Sequence, residues 1–159
     1  MRQRAQTLLS VAALSLYCGA APAGAADFRS VGEAGAVFFD APSAQATRLY
    51  VARRYYPVSI IVSLEQWVKV RDAAGDLAWV ERRALSEQRT VIVTAARAHV
   101  RAAPEAAAPI VFDVEKDVAL EVLEIAAPGW VKVGQAGVQA GAQAGGQSGF
   151  VSAAEVWGL

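Results

Sequence analysis

One cysteine, one methionine and one histidine stand among the 159 residues, and each scarcity removes a class of chemistry. Cys18 has no second thiol in its own chain, which excludes an internal disulfide or a multi-cysteine metal site. His99 is the lone imidazole. A general base needs a nucleophile and an orienting group close by, and no serine or acid follows a hydrolase spacing around it. It reads as an ordinary strand residue. Charge of one sign is also missing: 15 basic residues balance 15 acidic ones, so nothing asks for nucleic acid or an anionic membrane as partner. Beyond the N-terminal region, no stretch stays apolar and uncharged over the roughly 20 residues of a membrane-spanning helix.

The N-terminus itself is present in a recognisable form. Arg2 and Arg4 precede an apolar run from Leu8 to Cys18, and small residues fill the stretch from Gly19 to Ala26 before the first acid, Asp27. This order predicts a secretory signal peptide over residues 1–25, cleaved after Ala25 with Ala23 at the minus-three position, or else after Ala26. Tyr17 is bulky where a lipoprotein signal carries a small residue before its cysteine, so lipidation of Cys18 is not expected. The expectation for the remaining chain is a periplasmic or secreted location, without cysteine and slightly acidic once Arg2 and Arg4 are gone.

Repetition dominates what remains. Trp-Val-Lys-Val occurs at Trp67–Val70 and again at Trp130–Val133; Ala41-Pro42 returns as Ala103-Pro104, and Trp79-Val80 as Phe150-Val151. One small module has been used twice, which sets domains at residues 26–88 and 89–159. Units near 60 residues lie close to the lower size limit for an independent core, so the two copies are expected to pack together. The linker from Ser86 to Thr90 is too short and too poor in glycine for a flexible tether.

Short alternating segments separated by Gly, Pro and Asp predict strands. Val58, Ile60, Val62 and Leu64 alternate with Ser59, Ile61 and Ser63, and Val118, Leu120 and Val122 match them in the second copy. Further strands are expected at 35–39, 67–71, 77–81, 91–94, 98–101, 130–133 and 149–152. Alanine-rich Ser43–Tyr56 leaves room for a helical turn, whereas Pro104 and Pro109 argue against a long helix after Arg101. Gly134–Gly149 is a fourfold tetrapeptide of Gly, Gln and Ala spanning 16 residues, where the first copy uses the 8 residues 71–78. It reads as a local duplication in a surface loop, where added length costs little, with a glutamine-rich binding loop as the other possibility.

Strand alternation assigns faces to the repeated motif. With Val68 and Val70 inward, Trp67 and Lys69 face outward, and Trp130 and Lys132 do the same in the second copy. Val80 inward leaves Trp79 and Glu81 outward, and Phe150 behaves like Trp79. Each copy therefore offers a pair of aromatics that either form a shallow binding groove or pack between the modules or under a loop. Arg53-Arg54-Tyr55-Tyr56-Pro57 is the densest basic and aromatic cluster. It is either a strand-connecting turn or a lip that holds a carboxylate. Arg82-Arg83 reads as an exposed turn. Asp113, Glu115, Asp117, Glu121 and Glu124 lack the spacing of a calcium loop, so neither metal nor cofactor is expected.

The second copy runs Val100-Arg101-Ala102-Ala103-Pro104, then Gly129-Trp130-Val131-Lys132-Val133, and closes with Gly149-Phe150-Val151-Ser152. This resembles the bacterial SH3-like domain family, whose pattern has Val-Arg and small residues before Pro, then Gly-Trp-x-x-Val, then Gly-Trp/Phe-Val. The first copy is similar but has Gln66 before Trp67 and Phe39-Asp40 in place of Val-Arg. The resemblance implies small barrels of five or six strands that bind cell-wall material, peptides or a neighbouring catalytic domain. The chain thus reads as an all-β protein of two packed SH3-like barrels without catalysis of its own. Its expected ligand sites are Trp67, Trp79, Tyr56 and Arg54 in one copy and Trp130 and Phe150 in the other. The expected partner is peptidoglycan or an extended peptide, the alternative being a structural or regulatory contact with another envelope protein.

Overall fold

A computed structural model describes residues 26–32, 34–137 and 146–159. The expected signal peptide, Cys18 and residues 138–145 of the tetrapeptide loop lie outside the described residues. The chain is all-β. Its first sheet holds β1 (Phe28–Val31), β2 (Ala36–Phe39), β3 (Arg48–Ala52), β4 (Pro57–Ser63), β5 (Trp67–Arg71), β6 (Leu77–Glu81) and β7 (Leu85–Ser86). The second holds β8 (Thr90–Val93), β9 (Arg97–Arg101), β10 (Ile110–Glu115), β11 (Ala119–Ala127), β12 (Trp130–Gln135), β13 (Ser148–Ser152) and β14 (Val156–Trp157). Strand order is β3-β2-β6-β5-β4-β1-β7 in one and β10-β9-β13-β12-β11-β8-β14 in the other, the same path taken twice. Each unit therefore has seven strands rather than the five or six that the resemblance implies. The excess includes the two-residue β7 and β14, each following a short 3-10 turn.

Each sheet curls round its own core, and the alternation of the repeated motif explains which side chains fill it. Val68, Val70 and Val80 are fully buried in the first, as are Val131, Val133 and Val151 in the second. The two cores differ at one stacked position. Phe38 pairs across the strands with Tyr50, rings 4.8 Å apart and nearly parallel, where Val100 pairs with Phe112. The Tyr50 hydroxyl donates to Asp72 at 3.0 Å. Asp72 is only 6% exposed and also accepts the Ala74 and Asp76 amides at 2.9 Å each, so it ties the β5–β6 turn to the core. Register places Gln135 at the corresponding point of the second unit, and its partner position is the hydroxyl-free Phe112.

Two expectations are corrected. Residues 43–56 contain no helical turn: β3 occupies Arg48–Ala52, with Tyr50 and Ala52 turned toward the core and Leu49 and Val51 outward. The alternation begun at Val58 also fails halfway, because a register shift between Ile60 and Val62 turns the strand over. Val62 and Leu64 are exposed in consequence. The matching shift falls between Val122 and Glu124 in β11, so the irregularity belongs to the module. The same holds for a left-handed residue before β4 and β11. Tyr55 has φ 67° and Asp117 φ 65°, a rare backbone state for such residues, and their amides donate to Val31 and Val93 oxygens at 2.8 and 2.9 Å.

The units pack directly on each other, as their size demands. Phe28 of β1 meets Trp157 of β14 edge to face at 5.1 Å. Buried Thr90 donates its hydroxyl to the Tyr55 oxygen of the first unit at 2.7 Å, and buried Ser30 donates to the Gln88 oxygen at 2.7 Å, which ties the end of the first unit to β1. Gly158, with φ 123°, lies so close that a Cβ there would sit 2.7 Å from the Thr90 oxygen and 3.2 Å from Pro57 of the first unit. Only glycine suits both the conformation and the space.

Candidate aromatic binding face

β5 and β6 pair with Lys69 opposite Trp79 and Trp67 opposite Glu81, and β6 meets β2 with Trp79 opposite Phe39. Since Val68, Val70 and Val80 point inward, these residues share the outer face, where Trp67, Lys69 and Trp79 are half-buried. Phe39 meets Trp67 edge to face at 5.4 Å, and the Lys69 Nζ lies 5.9 Å over the Trp79 ring. The second unit repeats the arrangement: Lys132 pairs with Phe150 across β12 and β13, its Nζ 5.9 Å over the ring. Trp130 faces outward beside them. An aromatic face with a lysine held over it joins flat apolar area to a cation.

Register also corrects the alignment of the two motifs. Phe39 and Arg101 occupy equivalent positions, opposite Trp79 and Phe150, so Phe38-Phe39, not Phe39-Asp40, stands in place of Val100-Arg101. The first unit thereby places a buried ring, Phe39, 7% exposed, beneath Trp67. Arg101 instead donates to the Ala108 oxygen at 2.8 Å, holding the loop before β10.

Trp67 forms part of a groove of about 710 Å³ whose other walls are Pro42–Gln45, Glu65, Gln66 and the turn Glu81–Arg83. Arg82 positions this groove. Its guanidinium donates to the Leu64 and Glu65 oxygens, at 2.5 and 3.1 Å, and its amide to Gln66 at 2.9 Å. The corresponding turn of the second unit is Pro128-Gly129, with Gly129 at φ 81°, the residues that a type II turn favours. No arginine clamp is present there: Ala153, at the place of Arg82, bonds by its amide to the Gly129 oxygen at 2.8 Å. Trp130 lines a smaller hollow of about 350 Å³ with Ile125, Pro128 and Leu159. Arg82 thus anchors the turn before Trp67, a role its reading as a merely exposed turn had missed.

The structure divides the remaining site residues from these rings. Tyr56 and Arg54 lie in a separate cleft of about 760 Å³ between the two units, with Tyr50, Asp72 and Arg53 from the first and Ile92, Thr94, Lys116 and Asp117 from the second. Burial, followed by the Asp72 charge, pushes the Tyr56 phenol above its ordinary value. Tyr50 is pushed up by burial and by its bond to Asp72. Both are neutral hydroxyls at physiological pH. Trp67 and Trp79 therefore lie together on one surface, and Tyr56 and Arg54 together on another.

His99 does face an acid, which spacing along the chain concealed: it pairs across β9 and β10 with Asp113, Nδ1 to Oδ1 2.5 Å. Both side chains are exposed. Among the described residues no group of three or more His, Cys, Asp or Glu is placed to hold a metal ion, and no helix is long and apolar enough to cross a membrane.

No curated protein matches this chain. Among solved structures it is similar to NlpC1 from Trichomonas vaginalis, at 14% identity and a TM-score of 0.37 over 91% of this chain and 50% of that one. It is also similar to NlpC2 from Trichomonas vaginalis, at 13% identity and a TM-score of 0.36 over 84% and 48%. The chain spans about half the length of the solved structures it matches. Residues 32–87, which include Phe39, Trp67, Lys69 and Trp79, match the family described as the bacterial SH3 domain.

Proposed function

We propose that this chain is a non-catalytic binding protein of the cell envelope that holds peptidoglycan, or an extended peptide, across its outer aromatic face. The observation that carries this reading is the lysine-over-aromatic pair built twice, Lys69 on Trp79 and Lys132 on Phe150. The pair stands at the same register in both units, on half-buried rings of the outer face. Sugar rings and peptide planes stack on such faces, while the ammonium group supplies a partner for a carboxylate. The groove at Trp67, whose ring is backed by buried Phe39, makes the first unit the stronger candidate, and the family match to residues 32–87 supports it. The envelope location rests on the signal-peptide reading of residues 1–25. Binding of the purified protein to isolated sacculi, compared between wild type and Trp67→Ala, tests the proposal.

A second reading, a structural or regulatory contact with another envelope protein, draws on apolar residues left in solvent. Val51 is 71% exposed and Ile125 67%, with Leu49 and Ile110 about half exposed. Recovery of one envelope protein, with no binding to bare wall, would favour this reading.

A further inference from the structure

We propose that the cleft between the two units is a second binding site, which takes the free carboxylate of a short peptide. This inference stands apart from the aromatic face and does not depend on it. The cleft, about 760 Å³, has the size of an ordinary small-ligand site, roughly 300–1,000 Å³. Neither unit forms it by itself.

Its cations come from one structural position used twice. Arg54 precedes left-handed Tyr55, and Lys116 precedes left-handed Asp117. These equivalent turns bring a positive side chain from each unit to the same cleft, and Arg53 adds a third. Arg54 is pre-positioned, its guanidinium 5.0 Å over the Tyr55 ring. None of the three makes a side-chain hydrogen bond or an ion pair among the described residues; the ion pairs there are Arg29–Asp27, Arg83–Glu81 and His99–Asp113. Of the cleft's three carboxylates, Asp72 is already committed: it is buried and accepts from Tyr50 and two amides. Asp76 and Asp117 line the same cleft, suited to the amino end of the same ligand. The tyrosines stay protonated and Ile92 and Ala73 add apolar wall. A guanidinium donates two parallel hydrogen bonds to a carboxylate, which is the interaction this arrangement leaves open.

The test is a titration of the protein with trialanine and with its C-terminal amide, followed by amide NMR. Saturable shifts at Thr94 and Lys116 are expected with trialanine. Loss of a hydrogen bond to a charged group lowers affinity about tenfold or more, so the amide, Arg54→Gln and Lys116→Gln should each show that loss while Trp67→Ala does not. Arg54 and Lys116 are exposed, and both variants should keep the wild-type circular dichroism. The proposal is overturned if trialanine does not saturate the cleft, if the amide binds equally, or if either folded variant keeps full affinity. Because Trp67→Ala leaves this site intact, failure here and failure of wall binding are separable.

Discussion

Phe28 and Trp157, from opposite ends of the described chain, meet edge to face with ring centroids 5.1 Å apart and planes at 88°. Their contact joins the first strand of one unit to the last strand of the other, and Arg89 from the short linker adds its guanidinium 5.7 Å over Phe28. Such aromatic pairs contribute about 0.5–1.5 kcal/mol beyond the area they bury. A double-mutant cycle with Phe28→Leu and Trp157→Leu, read by urea denaturation, should return a coupling of that size. Strict additivity would mean that the units are not held by this pair.

Tyr50→Phe should destabilise the protein by about 1–3 kcal/mol, because buried Asp72 would lose one of its three donors. The same bond predicts a response to alkali. Tyr50 is held neutral, its folded pKa raised above the unfolded value of about 10. Its contribution is therefore complete below about pH 10 and is lost as pH rises from there toward the folded value. Denaturation midpoints measured from neutral to strongly alkaline pH should fall more steeply for wild type than for Tyr50→Phe. Equal slopes would show that the tyrosine is not linked to folding.

Much of this architecture was legible because it depends on a period of two. The repeated Val positions of Trp-Val-Lys-Val fill both cores, and strands 67–71 and 77–81 fall where alternation placed them. Alternation failed where the backbone departs from regular pairing. The bulge at Ile61 turns Val62 outward, and no local residue preference announces it. β3 is obscured by neighbouring alanines, and its strand identity comes from antiparallel pairing with β2, the strand before it. The outer position of Trp67 and Trp79 was readable for the same periodic reason, but their separation from Tyr56 and Arg54 was not. That separation follows from the fold of the first unit, where Arg54 and Tyr56 sit in the turn before β4 and the tryptophans on the outer face of β5 and β6, while the docking that completes the cleft rests on Thr90, Gly158 and Phe28, residues with no motif of their own.

Arg82→Ala should loosen the turn that carries Trp67 while leaving the core intact. Exposed hydrogen bonds to two carbonyls are worth about 1 kcal/mol in stability, so the effect on unfolding should be small. Amide hydrogen exchange should accelerate at Leu64, whose amide bonds to the Trp67 oxygen at 2.8 Å, and remain unchanged at Val80. Ser152→Ala, in the second unit, should leave exchange at Leu64 unaltered. Unchanged exchange in Arg82→Ala would remove the clamp from the account.

The most direct test of the central claim is co-sedimentation of the protein with purified peptidoglycan sacculi, for wild type, Trp67→Ala and Trp130→Ala, each confirmed to be folded. The aromatic face predicts saturable wild-type binding that falls at least several-fold in Trp67→Ala, the cost expected of losing a central aromatic anchor, about 1–2 kcal/mol or more, and less in Trp130→Ala, whose hollow is smaller. Folded wild-type protein that stays in the supernatant, or binding that survives both substitutions, would contradict it.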